Sequence, residues 1–106
     1  KNRSYNNFFD FISINKVLEH IENPMIILGK LKKILKFKGI LYIEVPDCKA
    51  SLEGQFREEF FIEHLHVFSI KSLENMIKKI KLKVIKIKGI KEKSGKYTLF
   101  AFCRKY

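Results

Sequence analysis

At 106 residues the chain has room for one domain or part of one. Hydrophobic residues make up 46% and charged residues 31%, a globular composition that excludes a disordered tail. The net charge is +11, no uncharged apolar run nears the roughly 20 residues that cross a bilayer, and the polar start Lys1 to Asn7 has no signal-peptide core, so neither a membrane protein nor a secreted one is expected.

Phe8 to Ile14 is a short, apolar, β-prone run that reads as a strand buried on both faces. Asn15 to Ile21 follows as a turn or short helical piece. Asn23-Pro24 opens a helix, because Asn can cap the free amides and Pro lacks only an N–H that the first turn does not use. Leu28, Leu31, Ile34 and Leu35 recur at helical spacing opposite Lys30, Lys32, Lys33 and Lys36. Gly39 is expected to break that helix and open a second strand, Ile40 to Val45, which Pro46-Asp47 ends.

Residues 47–68 form a long acidic and aromatic stretch, a length that in compact domains carries function or a small helix. Ser69 caps a second helix with an apolar stripe of Ile70, Leu73, Ile77 and Ile80. Lys83 to Lys91 reads as a third strand and Lys96 to Arg104 as a fourth. Lys93-Ser94-Gly95 between them makes the pair an antiparallel hairpin. Alternating strands and helices imply an α/β fold on a mainly parallel sheet with right-handed crossovers. Residues 8–106 read as one unit behind a polar lead-in, 1–7.

The charge is uneven. Residues 1–69 hold 10 basic and 9 acidic groups, whereas residues 70–106 hold 12 basic groups and only Glu74 and Glu92. Such a half can mark a nucleic-acid surface. Yet 19 of the 22 basic residues are Lys, while base readout and stacking favour Arg, so a solvated surface is the stronger reading. Cys48 and Cys103 are too few for a disulfide framework and form no C-x-x-C pair, so they read as reduced thiols of a cytoplasmic protein.

Phe9-Asp10-Phe11-Ile12, then Val17-Leu18-Glu19-His20-Ile21-Glu22-Asn23-Pro24, resembles the segment after the fourth strand of class I S-adenosylmethionine-dependent methyltransferases. Ile34 to Leu41 is similar to the Leu-Lys-Pro-Gly-Gly turn that follows, and Ile43 to Asp47 to the fifth strand. Phe61 to Ser69 with Ser72-Leu73 resembles the Glu-His, Phe-Ser, Ser-Leu stretch of the sugar and ubiquinone-type subgroup. The resemblance covers about residues 8–106 and implies the C-terminal half of a Rossmann-like fold, closed by an antiparallel hairpin. It also implies S-adenosyl-L-methionine as cofactor of the complete protein and a small-molecule methyl acceptor.

Departures from the family pattern matter as well. Phe37-Lys38 replaces Pro-Gly, and Lys81-Leu82 stands where Gly-Phe often ends the last helix, so Lys81 is expected in a left-handed conformation. The glycine-rich loop after the first strand and the acidic end of the second are missing from the sequence, which also begins with Lys rather than Met. The chain alone is therefore expected to be inactive, and to associate with itself through an uncovered first strand.

By resemblance, Asn15 and Lys16 line the cofactor and His20 faces the substrate side. The bland alternative is a helix-entry turn whose polar groups satisfy the backbone. Glu63 and His64 pair a carboxylate with an imidazole, as a general base near neutral pH requires, or else clasp the loop. Sugar C-methyltransferases that resemble this stretch carry Tyr where Phe61 stands, so a phenolic base is missing. His64 and His66 with Glu63 fall short of a metal set, and none is expected. Phe56, Phe60, Phe61 and Phe68 either close over an acceptor or form the loop's own core. The second functional reading is a non-catalytic basic module that binds RNA or an acidic partner through residues 70–106.

Overall fold

The computed structural model describes residues 6–48 and 68–106. In chain order they form β1 (Phe9–Asn15), a 3-10 turn (Leu18–His20), α1 (Pro24–Ile34), β2 (Leu35–Pro46), α2 (Ile70–Lys79), β3 (Lys83–Lys91) and β4 (Tyr97–Arg104). The four strands make one sheet in the order β1-β2-β4-β3. β1 and β2 are parallel, with Ile12 beside Leu41 and Asn15 beside Glu44. β4 runs against both neighbours, Ile43 opposite Ala101 on one side and Ile87 opposite Ala101 on the other. The α/β class and the closing hairpin are as expected. Among the four described strands, parallel pairing is confined to β1–β2, because β4 enters between β2 and β3 and opposes each.

Strand alternation sorts the side chains. Leu41, Ile43 and Val45 of β2 and Leu99, Ala101 and Cys103 of β4 point to one face. There they form a single core with Leu28 of α1 and Leu73 and Ile77 of α2, so both helices cover the same side. Burial pushes the Cys103 thiol up to about 12, which keeps it protonated. The opposite face carries Tyr42, Phe100 and Phe102, whose rings meet at centroid distances of 4.9–6.3 Å. No described helix is long and apolar enough to cross a membrane.

Several local expectations change. β1 is not buried on both faces: Ile12 and Ile14 pack against the core while Phe11, on the face away from the helices, is 54% exposed. Among the described residues both helices pack on the Ile12 and Ile14 face, so the Phe11 face is left uncovered by them. Asn23 precedes α1 but makes no side-chain cap; the Ile26 amide goes to the Asn23 carbonyl at 3.2 Å instead. Gly39 does not end α1 either. The helix stops at Ile34, where the Lys105 ammonium takes up the carbonyls of Lys32 and Leu35 at 2.8 and 2.9 Å, and the chain is already extended from Leu35. Ile70, assigned to the apolar stripe of α2, is 44% exposed.

Other details follow the sequence closely. Ser69 and Ser72 exchange side-chain and backbone bonds in a capping box at the start of α2. Its far end closes with Lys81 at φ 64°, the left-handed conformation expected where Gly is lacking. The Leu82 amide reaches the Ile77 carbonyl and the Lys81 amide that of Lys78, a complete Schellman arrangement with Leu82 and Ile77 both buried. The Lys32 ammonium of α1 takes the remaining Ile80 carbonyl at 2.8 Å.

Two substitutions should therefore move stability in opposite directions. Lys81→Gly removes a left-handed side chain and should stabilise by about 1 kcal/mol. Gly39→Ala places a Cβ 2.8 Å from the Lys36 carbonyl oxygen and should destabilise by roughly 1–3 kcal/mol. Urea unfolding followed by circular dichroism reads both.

Candidate functional site at the carboxyl edge of the sheet

The parallel pairing of β1 and β2 puts their carboxyl ends side by side, at Asn15 and Glu44. Just beyond, Lys16 turns the chain with φ 55°, and its amide donates to the Glu44 carbonyl at 2.7 Å. The turn therefore stays tied to the sheet while β1 gives way to the 3-10 turn. Ser13 donates to the Asn15 side-chain oxygen at 2.9 Å, which orients that amide. Val17 is 44% exposed, while Leu18 is fully buried and anchors the 3-10 turn in the core.

The Lys16 ammonium lies on the helix-free face between two carboxylates, 3.2 Å from Glu92 and 3.6 Å from Glu44. Glu44 also accepts from the Tyr42 hydroxyl at 2.8 Å, and Glu92 from the Thr98 hydroxyl. One cation thus spans β1, β2 and the β3–β4 hairpin. Desolvation first, and then the Glu44 carboxylate, push the Tyr42 hydroxyl up to about 12, so it remains a donor. The Thr98 hydrogen bond, followed by Lys16, holds the Glu92 carboxyl below its ordinary value.

His20 ends the 3-10 turn with its side chain partly exposed, and its Nε2 lies 3.6 Å from the Glu19 carboxylate. Glu19 is buried, and its Oε1 has no hydrogen-bond partner among the described residues. A buried carboxylate oxygen without a donor costs free energy, so this turn carries an unsatisfied acceptor beside an accessible imidazole. Asn15, Lys16 and His20 are thus gathered along one short segment at the sheet edge. Glu63, His64 and His66, with Phe56, Phe60 and Phe61, lie outside the described residues. Phe68 is buried in the core of the domain and forms a strand bridge with Asp47.

Sequence reasoning missed Glu44, Glu92 and Thr98. A signal was present: Glu92 is one of two acidic residues in the strongly basic half. Glu74, the other, pairs locally with Lys78 one helical turn on, whereas Glu92 reaches Lys16 across the fold. A lone acid in a basic region marks a specific partner, but only the strand order says which.

The pH dependence of this cluster has a definite sign. Because the Glu92 carboxyl sits lower in the folded chain than in the unfolded one, its contribution is present above the ordinary value of 4.5 and is lost as pH falls through the lowered folded value. Thermal unfolding from pH 6 down to pH 3 should show falling stability, and Glu92→Gln should flatten that slope. Thr98→Val and Lys16→Met should each flatten it, since the hydroxyl and the ammonium both lower the Glu92 carboxyl.

Known proteins share this frame. A family model described as "Methyltransferase domain" matches residues 1–87. An uncharacterized protein of Methanocaldococcus jannaschii is 33% identical over 82 residues, 74% of this chain and 40% of that protein. A SAM-dependent methyltransferase from Aquifex aeolicus superposes with a TM-score of 0.69 at 18% identity, covering 95% of this chain and 48% of that one. The 1,6-didemethyltoxoflavin-N1-methyltransferase of Burkholderia thailandensis, solved with S-adenosylhomocysteine, gives 0.73 at 17% identity, covering 94% and 45%. The chain thus spans about half the length of these proteins. With the family model matching most of its residues and its fold superposing on SAM-dependent methyltransferases, the chain belongs to the methyltransferase domain family, the class I S-adenosylmethionine-dependent group that its motifs resemble.

Proposed function

We propose that this chain supplies the C-terminal half, residues 8–106, of a domain that transfers a methyl group from S-adenosyl-L-methionine to a small molecule. The observation that carries the reading is the juxtaposed carboxyl ends of β1 and β2, the place where sheets of this kind bind ligands. When bound, the donor supplies an electrophilic methyl on a cationic sulfur.

The edge suits such a group in two respects. The Lys16 ammonium is offset by Glu44 and Glu92, so the site does not present a bare cation to a sulfonium. Exposed Val17 beside the oriented amide of Asn15 offers an apolar wall next to a hydrogen-bonding group, which matches a ligand part apolar and part zwitterionic. Asn15 and the Lys16 backbone would hold the donor, with His20 toward the acceptor. The sequence contains no glycine-rich turn to complete the site.

Methyl transfer is an in-line displacement that depends mostly on alignment and the exclusion of water, and a rigid edge contributes to both. Its one proton-transfer demand is a base for the acceptor. Glu63 and His64 fill that role in this reading, and the Glu19 carboxylate steadies His20 on the acceptor side.

Calorimetry with S-adenosylhomocysteine separates the halves. The 106-residue chain should show no measurable binding, because the remaining half would provide most of the contacts. Micromolar affinity would place the binding energy here instead. In a complete protein, Glu63→Gln or His64→Ala should lower turnover by roughly 10²-fold if either is the base, and an unchanged rate returns both to a structural role.

A further inference from the structure

Three polar side chains are buried among the described residues: Glu19, Asp47 and Thr98. Thr98 donates to Glu92, and Asp47 shares a hydrogen bond with the Cys48 thiol. Glu19 stands apart. Its side chain is 1% exposed, its Oε1 has no hydrogen-bond partner among the described residues, and the polar group beside its Oε2 is the His20 Nε2 at 3.6 Å.

A carboxylate in that setting does not help the fold. Stripped of water and short of donors, it costs free energy that Leu or Met in the same space would not. Its burial is complete within this chain and waits for no further segment. The turn is also held without it. The His20 amide donates to the Val17 carbonyl at 2.9 Å, the Ile21 amide donates to that of Leu18 at 3.2 Å, and the Leu18 side chain sits in the core. What the carboxylate does act on is the imidazole, whose side chain is 41% exposed.

The contact decides which ring nitrogen carries the proton. An ionised carboxylate offers only lone pairs, and a bare Nε2 would set another lone pair against them. The neutral ring therefore turns an Nε2–H toward Glu19, and Nδ1 becomes its accepting nitrogen. We infer that Glu19 is a positioning residue that fixes His20 in the Nε2–H form, so that Nδ1 accepts a hydrogen bond from an O–H or N–H of the methyl acceptor. The identity of that ligand rests on the methyl-transfer reading above. The consequence for substrate class is definite: the group held at His20 is a hydroxyl or an amine, since a carbonyl or ether oxygen placed there would face Nδ1 lone pair to lone pair.

Nitrogen-15 spectra of the purified chain labelled at histidine, taken at mildly alkaline pH where imidazoles are neutral, read the tautomer, and His20→Asn identifies the His20 signals. His20 should be in the Nε2–H form. Glu19→Gln puts an amide donor beside Nε2 and should move the ratio toward Nδ1–H by roughly tenfold, the effect of about one hydrogen bond. The same variant should raise the urea midpoint of unfolding, whereas loss of a structural clasp would lower it. In a complete protein it should lower kcat/KM for the acceptor and leave the affinity for S-adenosylhomocysteine unchanged. An Nδ1–H form in the unaltered chain, a ratio unmoved by Glu19→Gln, a lowered midpoint or a weakened cofactor affinity each overturns the inference. The first three need no cofactor, so they stand apart from the methyl-transfer reading, which fails instead if a complete protein binds no S-adenosylhomocysteine.

Discussion

Everything at the functional edge depends on β2. It takes a parallel neighbour on one side and an antiparallel neighbour on the other, and its two faces serve different purposes. Leu41, Ile43 and Val45 anchor the core, while Tyr42 and Glu44 between them face the polar cluster. A register slip of one residue would bury Glu44 and expose the three aliphatic side chains, so pattern and pairing enforce each other. The Lys16 amide bonded to the Glu44 carbonyl carries that register into the turn after β1.

Lysines do structural work in this chain that their number hides. Lys105 and Lys32 each hold the carbonyl end of a helix from another part of the sequence, and Lys16 ties three elements through two carboxylates. Exposed ion pairs contribute little singly, so the value of the Lys16 cluster lies in geometry more than in free energy. It holds together a sheet edge where the chain changes direction twice.

The sequence made the α/β class, the limits of β3 and the left-handed Lys81 legible, because periodicity, capping residues and a missing glycine act over a few positions. The burial of β1 was misread because an apolar run reports what a strand can bury, not whether a neighbour stands beside it. Gly39 was misread for a related reason. The group that terminates α1 is Lys105, distant in sequence, and no local pattern announces it. Resemblance singled out Asn15, Lys16 and His20 as candidates, whereas the carboxylates that engage Lys16 become visible only once β4 is known to lie beside β2.

β4 follows β1, β2 and β3 in the chain yet occupies an interior position of the sheet. During synthesis β1, α1, β2, α2 and β3 all emerge before the strand that joins β2 to β3; its pairing with β3 is a local hairpin, whereas its pairing with β2 is long-range. Until residues 97–104 leave the ribosome, β2 and β3 each present an unsatisfied side, and the Leu99, Ala101 and Cys103 layer of the core is missing. The β3–β4 hairpin can therefore form as a local unit and then dock on β2, and a chain stalled short of β4 would present two open edges to chaperones and proteases.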